Sequence, residues 1–407
     1  MQSAMQTVIM GGSFLGVIIF AKISDRFGRR VAFIAGICLL LTTGLSAVFV
    51  KDFLIFNLLR FFMSSSASGI TVATTALFME IMPEKDRIYM NVGFGMGYSI
   101  PLLFIPVLSY YLKNFRYMQL ATGLTGFAVI PFLAVIEESP KWLLAKHRLE
   151  EAEQSIRRIL KRNRRTIPCM KDVMAKLAAR AESENAMKST NLGYLDLLRV
   201  PILRRNISYL GILWFCHSFV TYYVALNAHR LPGNPHLNFA ISTLAEFPSA
   251  FVGMYLLRKC RRRESQFYNF GTSAVIFAGV FFLDDEYRWT KVIGSFIVRF
   301  FVYVHGFVMW TNVHEINPTP ARSVGFAVTM MFGRTAAMMA PFLKDFGDWT
   351  HKSVICVTFV VLTAIGVFCV TKLPETLDKR LPDTIDDVEQ LLKDTQNAKI
   401  KIQKCAA

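Results

Sequence analysis

Apolar runs of about 20 residues recur along the whole chain, and they restrict its fold more than any other feature. Each run is long enough to cross a hydrocarbon core of roughly 30 Å as a helix. Because lipid offers no hydrogen-bond partners, single segments of this kind must pair their backbone groups internally and are therefore helical. We identify eleven candidate spans: residues 5–22, 31–49, 53–79, 88–112, 117–136, 206–228, 237–257, 266–284, 290–312, 324–343 and 350–371. The sequence predicts an all-α, multi-pass membrane protein.

Composition and charge distribution agree with this class. Hydrophobic residues make up 53% of the 407 residues and charged residues only 18%. The net charge of +17 is not spread evenly, because 137–205 holds sixteen Lys and Arg against nine Asp and Glu, and 258–263 holds five Lys and Arg. The loops on the other side are short and nearly neutral. By the positive-inside rule the basic loops and the C-terminus are cytoplasmic, and the excess charge faces anionic lipid rather than nucleic acid.

The long hydrophilic segment separates five spans from six. The predicted organisation is an N-terminal bundle at 1–136, a cytoplasmic basic loop with a helix at 137–205, a C-terminal bundle at 206–371 and a cytoplasmic tail at 372–407. Eleven spans with a cytoplasmic C-terminus place Met1 outside the cell. We therefore expect a further span and its preceding sequence ahead of residue 1.

The sequence offers no sign of catalysis. The seven cysteines have no metal-type spacing, and no phosphate-binding glycine loop of the ATPase type is present. We predict no enzyme activity, no cofactor, no metal site and no ATP-driven pumping.

Five charged motifs lie at the predicted turns. The first is Asp25-Arg26-Phe27-Gly28-Arg29-Arg30, where an Asp beside the arginines can form charge-assisted hydrogen bonds. A plain basic turn that only sets orientation is the alternative for this segment alone. The others are Glu80-x-x-Pro83-x-x-x-Arg87, Glu138-Ser139-Pro140-Lys141-Trp142-Leu143-Leu144, Glu315-x-x-Pro318-Thr319-x-x-Arg322 and Pro374-Glu375-Thr376.

Taken in order, these motifs resemble the major facilitator superfamily and, within it, the organic ion (organic cation, organic anion and carnitine) transporters. The resemblance implies two helical bundles, with about eleven of twelve spans present, and alternating access to a midplane site. It also implies an inner charge network that breaks and re-forms, made of Asp25, Arg26, Arg29, Arg30, Glu80, Arg87, Glu138, Glu315 and Arg322. The second-half counterpart of the first motif, Arg258 to Arg263, departs from the family because it lacks the Asp and the Gly.

Charges inside spans are costly and are therefore functional candidates. Arg334 lies mid-span where, in the family it resembles, anion carriers place an Arg and cation carriers an Asp. A guanidinium there can bind a carboxylate or sulfate through two hydrogen bonds. Glu246 has three open roles: binding a cation, binding a proton, or pairing with Arg334 or Arg299. Arg60 resembles a helix-packing residue.

Aromatic side chains supply the rest of the predicted substrate site. Tyr222 and Tyr223 match a Tyr pair that lines the cavity in the resembled family, and Trp214 and Tyr110 are further candidates. Aromatic faces hold flat organic ions by stacking or cation–π contact. For the intramembrane His217 and His305, hydrogen bonding between helices is preferred over a proton relay.

The predicted function is transport of small organic ions across the plasma membrane, with anions slightly favoured over cations. A coupling or exchange ion is a further expected partner. Two alternatives stay open: a sugar carrier of the same fold, although its spans would need more Asn and Gln for hydroxyl recognition, and a non-transporting membrane fragment or regulatory subunit.

Overall fold

Every regular element in the described part of the chain is a helix. The computed structural model describes residues 2–82, 87–165, 169–188, 199–227, 233–284, 286–318, 321–351, 353–377, 379, 382 and 387–392. The helices are α1 (Gln2–Phe27), α2 (Arg29–Phe49), α3 (Phe53–Ile81), α4 (Arg87–Tyr111), α5 (Phe115–Thr125), α6 (Ile130–Leu133), α7 (Pro140–Ala145), α8 (Leu149–Arg162), α9 (Met170–Lys188), α10 (Pro201–Asn227), α11 (Pro235–Leu244), α12 (Glu246–Lys259), α13 (Arg262–Phe281), α14 (Arg288–Ile316), α15 (Arg322–Trp349) and α16 (Ser353–Lys372). The predicted all-α class is confirmed.

The number of spans differs from the sequence prediction. Within the described residues, eight helical segments are long and apolar enough to cross a membrane. The other three predicted spans correspond to α4, to α13 and to residues 117–136. The last of these is not one helix, because α5 passes through a 3₁₀ turn at Gly126–Val129 before α6. The structure therefore does not confirm eleven spans.

Two helix breaks have a backbone cause. Pro131 stands in the first turn of α6, directly after the 3₁₀ turn, where its missing N–H costs no hydrogen bond. Pro248 cannot donate a hydrogen bond back to Leu244, and α11 ends at that residue. The break puts Glu246 in the first turn of α12.

Large apolar side chains cover much of the surface. Leu54, Val275, Phe104 and Phe368 have more than half of their surface exposed. Buried positions hold many small polar residues, including Ser66, Ser249 and Ser273. Apolar outside and small or polar inside is the pattern of helices packed in lipid, where helix contacts rely on small residues and hydrogen bonds.

Contacts divide the chain into two compact units. The N-terminal unit comprises Val8–Met90 and Leu112–Asn191; the C-terminal unit comprises Met1–Thr7, Asn91–Tyr111 and Leu192–Ala407.

In the N-terminal unit, α1 and α3 approach closely. A Cβ at Gly12 would lie 2.2 Å from the Phe61 carbonyl oxygen, so only glycine fits there. On the next residue of α1, the Ser13 hydroxyl lies 3.0 Å from that of Ser64 and 2.7 Å from that of Ser68. Small residues and hydroxyl pairs thus join these helices.

The C-terminal unit is built around α10, α13, α14, α15 and α16. Its main core contains Phe219 of α10, Phe270 of α13, Val302 of α14 and Phe359 of α16. Phe277 stacks on Phe359 with ring centroids 3.8 Å apart. This core fixes the helices that carry most of the predicted substrate residues.

Candidate functional site: two charge centres and a polar cluster

The first charge centre lies in the N-terminal unit and is built on Arg29. Its guanidinium binds both carboxylate oxygens of Glu80, at 2.9 to 3.2 Å, and donates to the Ser24 carbonyl at 2.8 Å. The side chains of Arg29 and Glu80 are only 12% and 19% exposed. A two-pronged ion pair in partly buried surroundings is stronger than a surface pair. It ties the start of α2 to the end of α3.

Glu138 completes this centre from the segment after α6. Its carboxylate accepts the backbone N–H groups of Arg29, at 2.8 Å, and of Arg30, at 3.1 Å. These are orphan donors at the N-terminus of α2, where the helix dipole favours a negative charge. Gly28 precedes them with φ of 111°, and a Cβ there would lie 2.3 Å from the Glu138 carboxylate. Only glycine admits this approach.

The remaining residues of the first motif are exposed. Asp25 pairs with Arg29 at 3.2 Å but is 76% exposed. Its backbone carbonyl accepts the indole N–H of Trp142 at 3.1 Å, which joins the turn to α7. The guanidinium of Arg26 lies 5.3 Å from the Phe27 ring centroid.

A second charge centre of the same form lies in the C-terminal unit. Arg262 binds both carboxylate oxygens of Glu315, at 3.2 Å each, and also donates to the Leu257 carbonyl. Glu375 accepts the backbone N–H groups of Arg262, at 2.8 Å, and Arg263, at 3.1 Å. The start of α13 is thus held as the start of α2 is.

The sequence reasoning placed Glu315 in a network but did not assign Arg262, Arg263 or Glu375 to it. Spacing is the signal that could have found them. Arg29 precedes Glu80 by 51 residues and Arg262 precedes Glu315 by 53. Two further predicted members of the network are Arg87 and Arg322. Their side chains lie outside the described part of the structure.

The buried polar cluster of the C-terminal unit is centred on Glu246 and Arg299. These two side chains form an ion pair and are 1% and 3% exposed. Arg299 also contacts the Ser242 hydroxyl at 3.1 Å, and Ser99 of α4 donates to Glu246 at 2.6 Å. Of the roles left open for Glu246, the structure shows pairing with Arg299.

Arg334 lies on α15 in a different setting. One guanidinium nitrogen donates to the Tyr222 hydroxyl at 3.1 Å. Its Nε is buried and makes no hydrogen bond to any described group. Tyr98, which the sequence reasoning missed, interacts electrostatically with Arg334, Tyr222, Glu246 and Arg299. These side chains therefore form one polar cluster.

The other predicted substrate residues have varied surroundings. Tyr223 is buried beside Phe277 in the main core. Trp214 is 6% exposed and packs against Trp310 with centroids 5.6 Å apart. Tyr110 on α4 is 60% exposed and meets His236 edge-to-face at 6.2 Å.

Comparison with known proteins agrees with this architecture. A family described as "Sugar (and other) transporter" matches residues 1–384. Among solved structures, the major facilitator superfamily proton:xylose symporter XylE superimposes with a TM-score of 0.72 and 17% identity, over 96% of this chain and 88% of that one. An inward-open structure of XylE from E. coli gives a TM-score of 0.70 at 16% identity, with the same coverage.

Relatives that match this chain by sequence include organic cation and organic anion transporters. An organic cation transporter protein of Drosophila melanogaster is 28% identical over 94% of this chain and 70% of its own length. Organic anion transporter 3 of Mus musculus is 25% identical over 97% of this chain and 73% of its own length.

Fold and motifs together define a multi-pass membrane transporter of the major facilitator superfamily. Within that superfamily, the chain belongs to the sugar (and other) transporter family, and its relatives include organic cation and organic anion transporters. It is a member of a transporter family and not an enzyme.

Proposed function

We propose that this protein carries small organic ions across the plasma membrane by alternating access, and that it favours anions. The names of the relatives support organic ions as the substrate class but include both charges. The preference for anions is supported by the charges of the polar cluster.

The observation that carries the proposal is the unequal pairing of Glu246 and Arg334. Glu246 is neutralised by Arg299 and by the Ser99 hydroxyl, so it offers little to a cation. Arg334 has only the neutral Tyr222 hydroxyl, with no acidic partner among the described residues. The cluster therefore carries one net positive charge in low-dielectric surroundings, where a carboxylate or sulfonate is a favourable partner.

The remaining parts of the proposal concern topology and gating. The proposed topology has eleven spans, counted from the apolar runs of this chain. The distribution of Lys and Arg supports a cytoplasmic position for the loop at 137–205 and for the C-terminus. The two charge centres would serve as gates whose ion pairs break and re-form during the cycle.

A sugar carrier is the second candidate, favoured by the family description and by the likeness to XylE. The polar cluster of Glu246, Arg299, Arg334 and Tyr222 speaks against it. A neutral sugar would leave the Arg334 charge without a counter-ion.

The test is uptake into proteoliposomes of benzenesulfonate, tetraethylammonium and glucose, each radiolabelled. Wild type should take up benzenesulfonate best. Arg334→Ala should lower that uptake at least about tenfold, because a charge-assisted bidentate contact is lost. Arg334→Lys keeps the positive charge but loses the two-pronged hydrogen bonding of the guanidinium. Its benzenesulfonate uptake should lie between those of wild type and Arg334→Ala.

Arg60→Ala is the matched control, since Arg60 is another in-span arginine and contacts the Phe56 ring at 5.7 Å. Its uptake per folded molecule should be close to that of wild type. Equal benzenesulfonate uptake by wild type and Arg334→Ala would remove Arg334 from the site. Uptake of glucose alone would favour the sugar carrier, and no uptake of any probe would favour a non-transporting protein.

A further inference from the structure

Two histidines of the C-terminal unit face each other between α10 and α14. Nδ1 of His217 and Nδ1 of His305 are 3.1 Å apart. His305 is fully buried, whereas His217 is partly exposed. Two ring nitrogens at this distance share one proton, so the two imidazoles must be in different tautomers when both are neutral.

The contacts of Thr221 favour one tautomer for each ring. Its hydroxyl donates to the His217 carbonyl at 2.8 Å, so its single hydrogen is already used. Toward Nε2 of His217, 3.4 Å away, the Thr221 oxygen can then only accept. This contact therefore favours a proton on Nε2 of His217, with its Nδ1 as acceptor and Nδ1 of His305 as donor.

This assignment leaves Nε2 of His305 as a basic nitrogen with a free lone pair. That atom is buried and has no hydrogen-bond partner among the described residues. The ring also stacks on Phe270, with centroids 4.3 Å apart and planes 13° from parallel. An imidazolium here would gain a charge-assisted hydrogen bond to His217 and a cation–π contact with Phe270.

The pair lies next to the polar cluster. Gly333, which precedes Arg334, approaches α10 so closely that a Cβ would lie 2.8 Å from the Ser218 hydroxyl and 3.2 Å from Trp214. The Arg334 guanidinium reaches Tyr222, about one turn further along α10 than His217. A proton on the His pair would therefore be repelled by Arg334 until an anion neutralises that charge.

We propose that His217 and His305 form a proton-binding site, and that proton and organic anion bind with positive coupling. The coupling is reciprocal: bound anion favours the proton and bound proton favours the anion. This inference rests on the proposed anion function, because a cation at the cluster would compete with the proton instead.

Other groups around the pair do not explain such a response. The surrounding helices carry other titratable or charged side chains, among them Cys216, Tyr222, Arg299, Tyr303, Arg334 and Cys369. A further histidine of α14, His314, stacks on Phe326 instead of joining the pair. From α13 the neighbour is Phe270. Between about pH 5 and 8, imidazole is the side chain that ordinarily changes charge.

The experiment is equilibrium binding of radiolabelled benzenesulfonate to the protein in nanodiscs, because this sulfonate stays ionised throughout the range. In wild type, affinity should rise about tenfold from about pH 8 to about pH 5.5, a coupling of ordinary size. The variant carrying both His217→Gln and His305→Gln keeps hydrogen-bonding groups that do not titrate. It should bind with a pH-independent affinity. His351→Gln, at an exposed position, is the matched control and should behave as wild type.

A second measurement uses wild type alone and does not depend on the variant folding. Adding benzenesulfonate at about pH 7 in weak buffer should draw protons from solution, up to one per bound anion. Binding without proton uptake would overturn the His site and leave the anion function intact. Binding of tetraethylammonium alone, or of neither probe, would overturn the anion function and the coupling together.

Discussion

The charge centres of the two units are alike in their contacts and unlike in their sequences. In both, an arginine at the start of a helix binds a glutamate from the end of another helix and a backbone carbonyl five residues earlier. In both, a second glutamate accepts two successive backbone N–H groups. The Asp and Gly of the first motif are nevertheless missing from the second, where Arg258 and Arg261 stand in their places.

The difference shows which residues the centre itself requires. Two arginines and two glutamates are sufficient to form it, since the second centre has no Asp or Gly. Gly28 is needed only where the Glu138 carboxylate and Trp142 close over the turn. Four residues after Glu375, where Trp142 would have its counterpart, the chain has Lys379.

The two centres also differ in their third contact. Arg29 has an exposed ion pair with Asp25, whereas Glu315 accepts a hydrogen bond from the buried Thr376 hydroxyl. The corresponding Ser139 instead caps α7 by accepting the Trp142 N–H at 3.2 Å. The N-terminal centre is thus stabilised partly by a solvent-exposed ion pair, whereas the C-terminal centre is stabilised by a buried hydroxyl group.

Removing the central arginines should have the largest effect. Arg29→Ala and Arg262→Ala should each lower the free energy of unfolding by about 3–5 kcal/mol, because a partly buried glutamate loses its partner. Arg262 should be at the upper end, since it is 8% exposed against 12% for Arg29. Titration of the detergent-solubilised protein with a denaturing detergent gives the values.

The matched variants are Arg29→Lys and Arg262→Lys, which keep the positive charge but lose the two-pronged hydrogen bonding of the guanidinium. They should lower the free energy of unfolding less than the alanine variants do. If one alanine variant cost less than about 1 kcal/mol, as an exposed ion pair does, the likeness of the two centres would be only geometric.

The next largest effect on stability should differ between the two centres, because their turns differ at the position before the arginine pair. Gly28→Ala should cost about 2 kcal/mol, because φ of 111° is unfavourable for a side chain and the new Cβ meets Glu138. Arg261→Ala, at the corresponding place, should stay within about 0.5 kcal/mol, since its φ is −60° and the side chain is exposed. The same unfolding assay measures both. Equal losses would mean that the two turns are under the same restriction.

The third contact can be tested by double-mutant cycles. Thr376→Val should cost about 1 kcal/mol by removing the hydrogen bond to Glu315. Ser139→Ala should cost a similar amount as a lost helix cap. Combined with Glu315→Gln, the Thr376 loss should be non-additive, while Ser139→Ala with Glu80→Gln should add. Additive losses in both cycles would show that Thr376 does not act through Glu315.

The sequence was sufficient for the helical class and the transporter family. It also named Arg29, Glu80 and Glu138, which the structure brings together in the first charge centre. Apolar runs of fixed length and charged motifs in a fixed order carry that information. The count of eleven spans stays a prediction. One of the three spans that no long apolar helix of the described residues matches, at 117–136, is a single run by composition, but Gly126 and Pro131 interrupt it as a helix. Partner choice was beyond the sequence. Glu246 could pair with Arg299 or Arg334, and only helix packing decides.

The second centre was missed for a related reason. The sequence prediction relied on the Asp and Gly of the first motif, and the segment Arg258 to Arg263 has neither. The Gly of the first motif belongs to the surroundings of the turn, and its Asp adds only the exposed ion pair with Arg29. Repeated spacing between arginines and glutamates was the more dependable signal.

The smallest effect on stability is expected at Asp25, and it isolates function from folding. Asp25→Ala should change the free energy of unfolding by no more than a few tenths of a kcal/mol, because an ion pair with a 76% exposed partner is well screened. Arg258→Ala, the corresponding change in the C-terminal unit, should have a similarly small effect on the free energy of unfolding.

Uptake of benzenesulfonate per folded molecule should nevertheless fall severalfold for Asp25→Ala, if Asp25 holds Arg29 when the contact with Glu80 opens during the cycle. Arg258→Ala should leave uptake unchanged, since Thr376 stabilises the second centre from within. A loss of folded protein in proportion to the loss of uptake would instead assign Asp25 to folding, and the difference between the centres would then be one of stability alone.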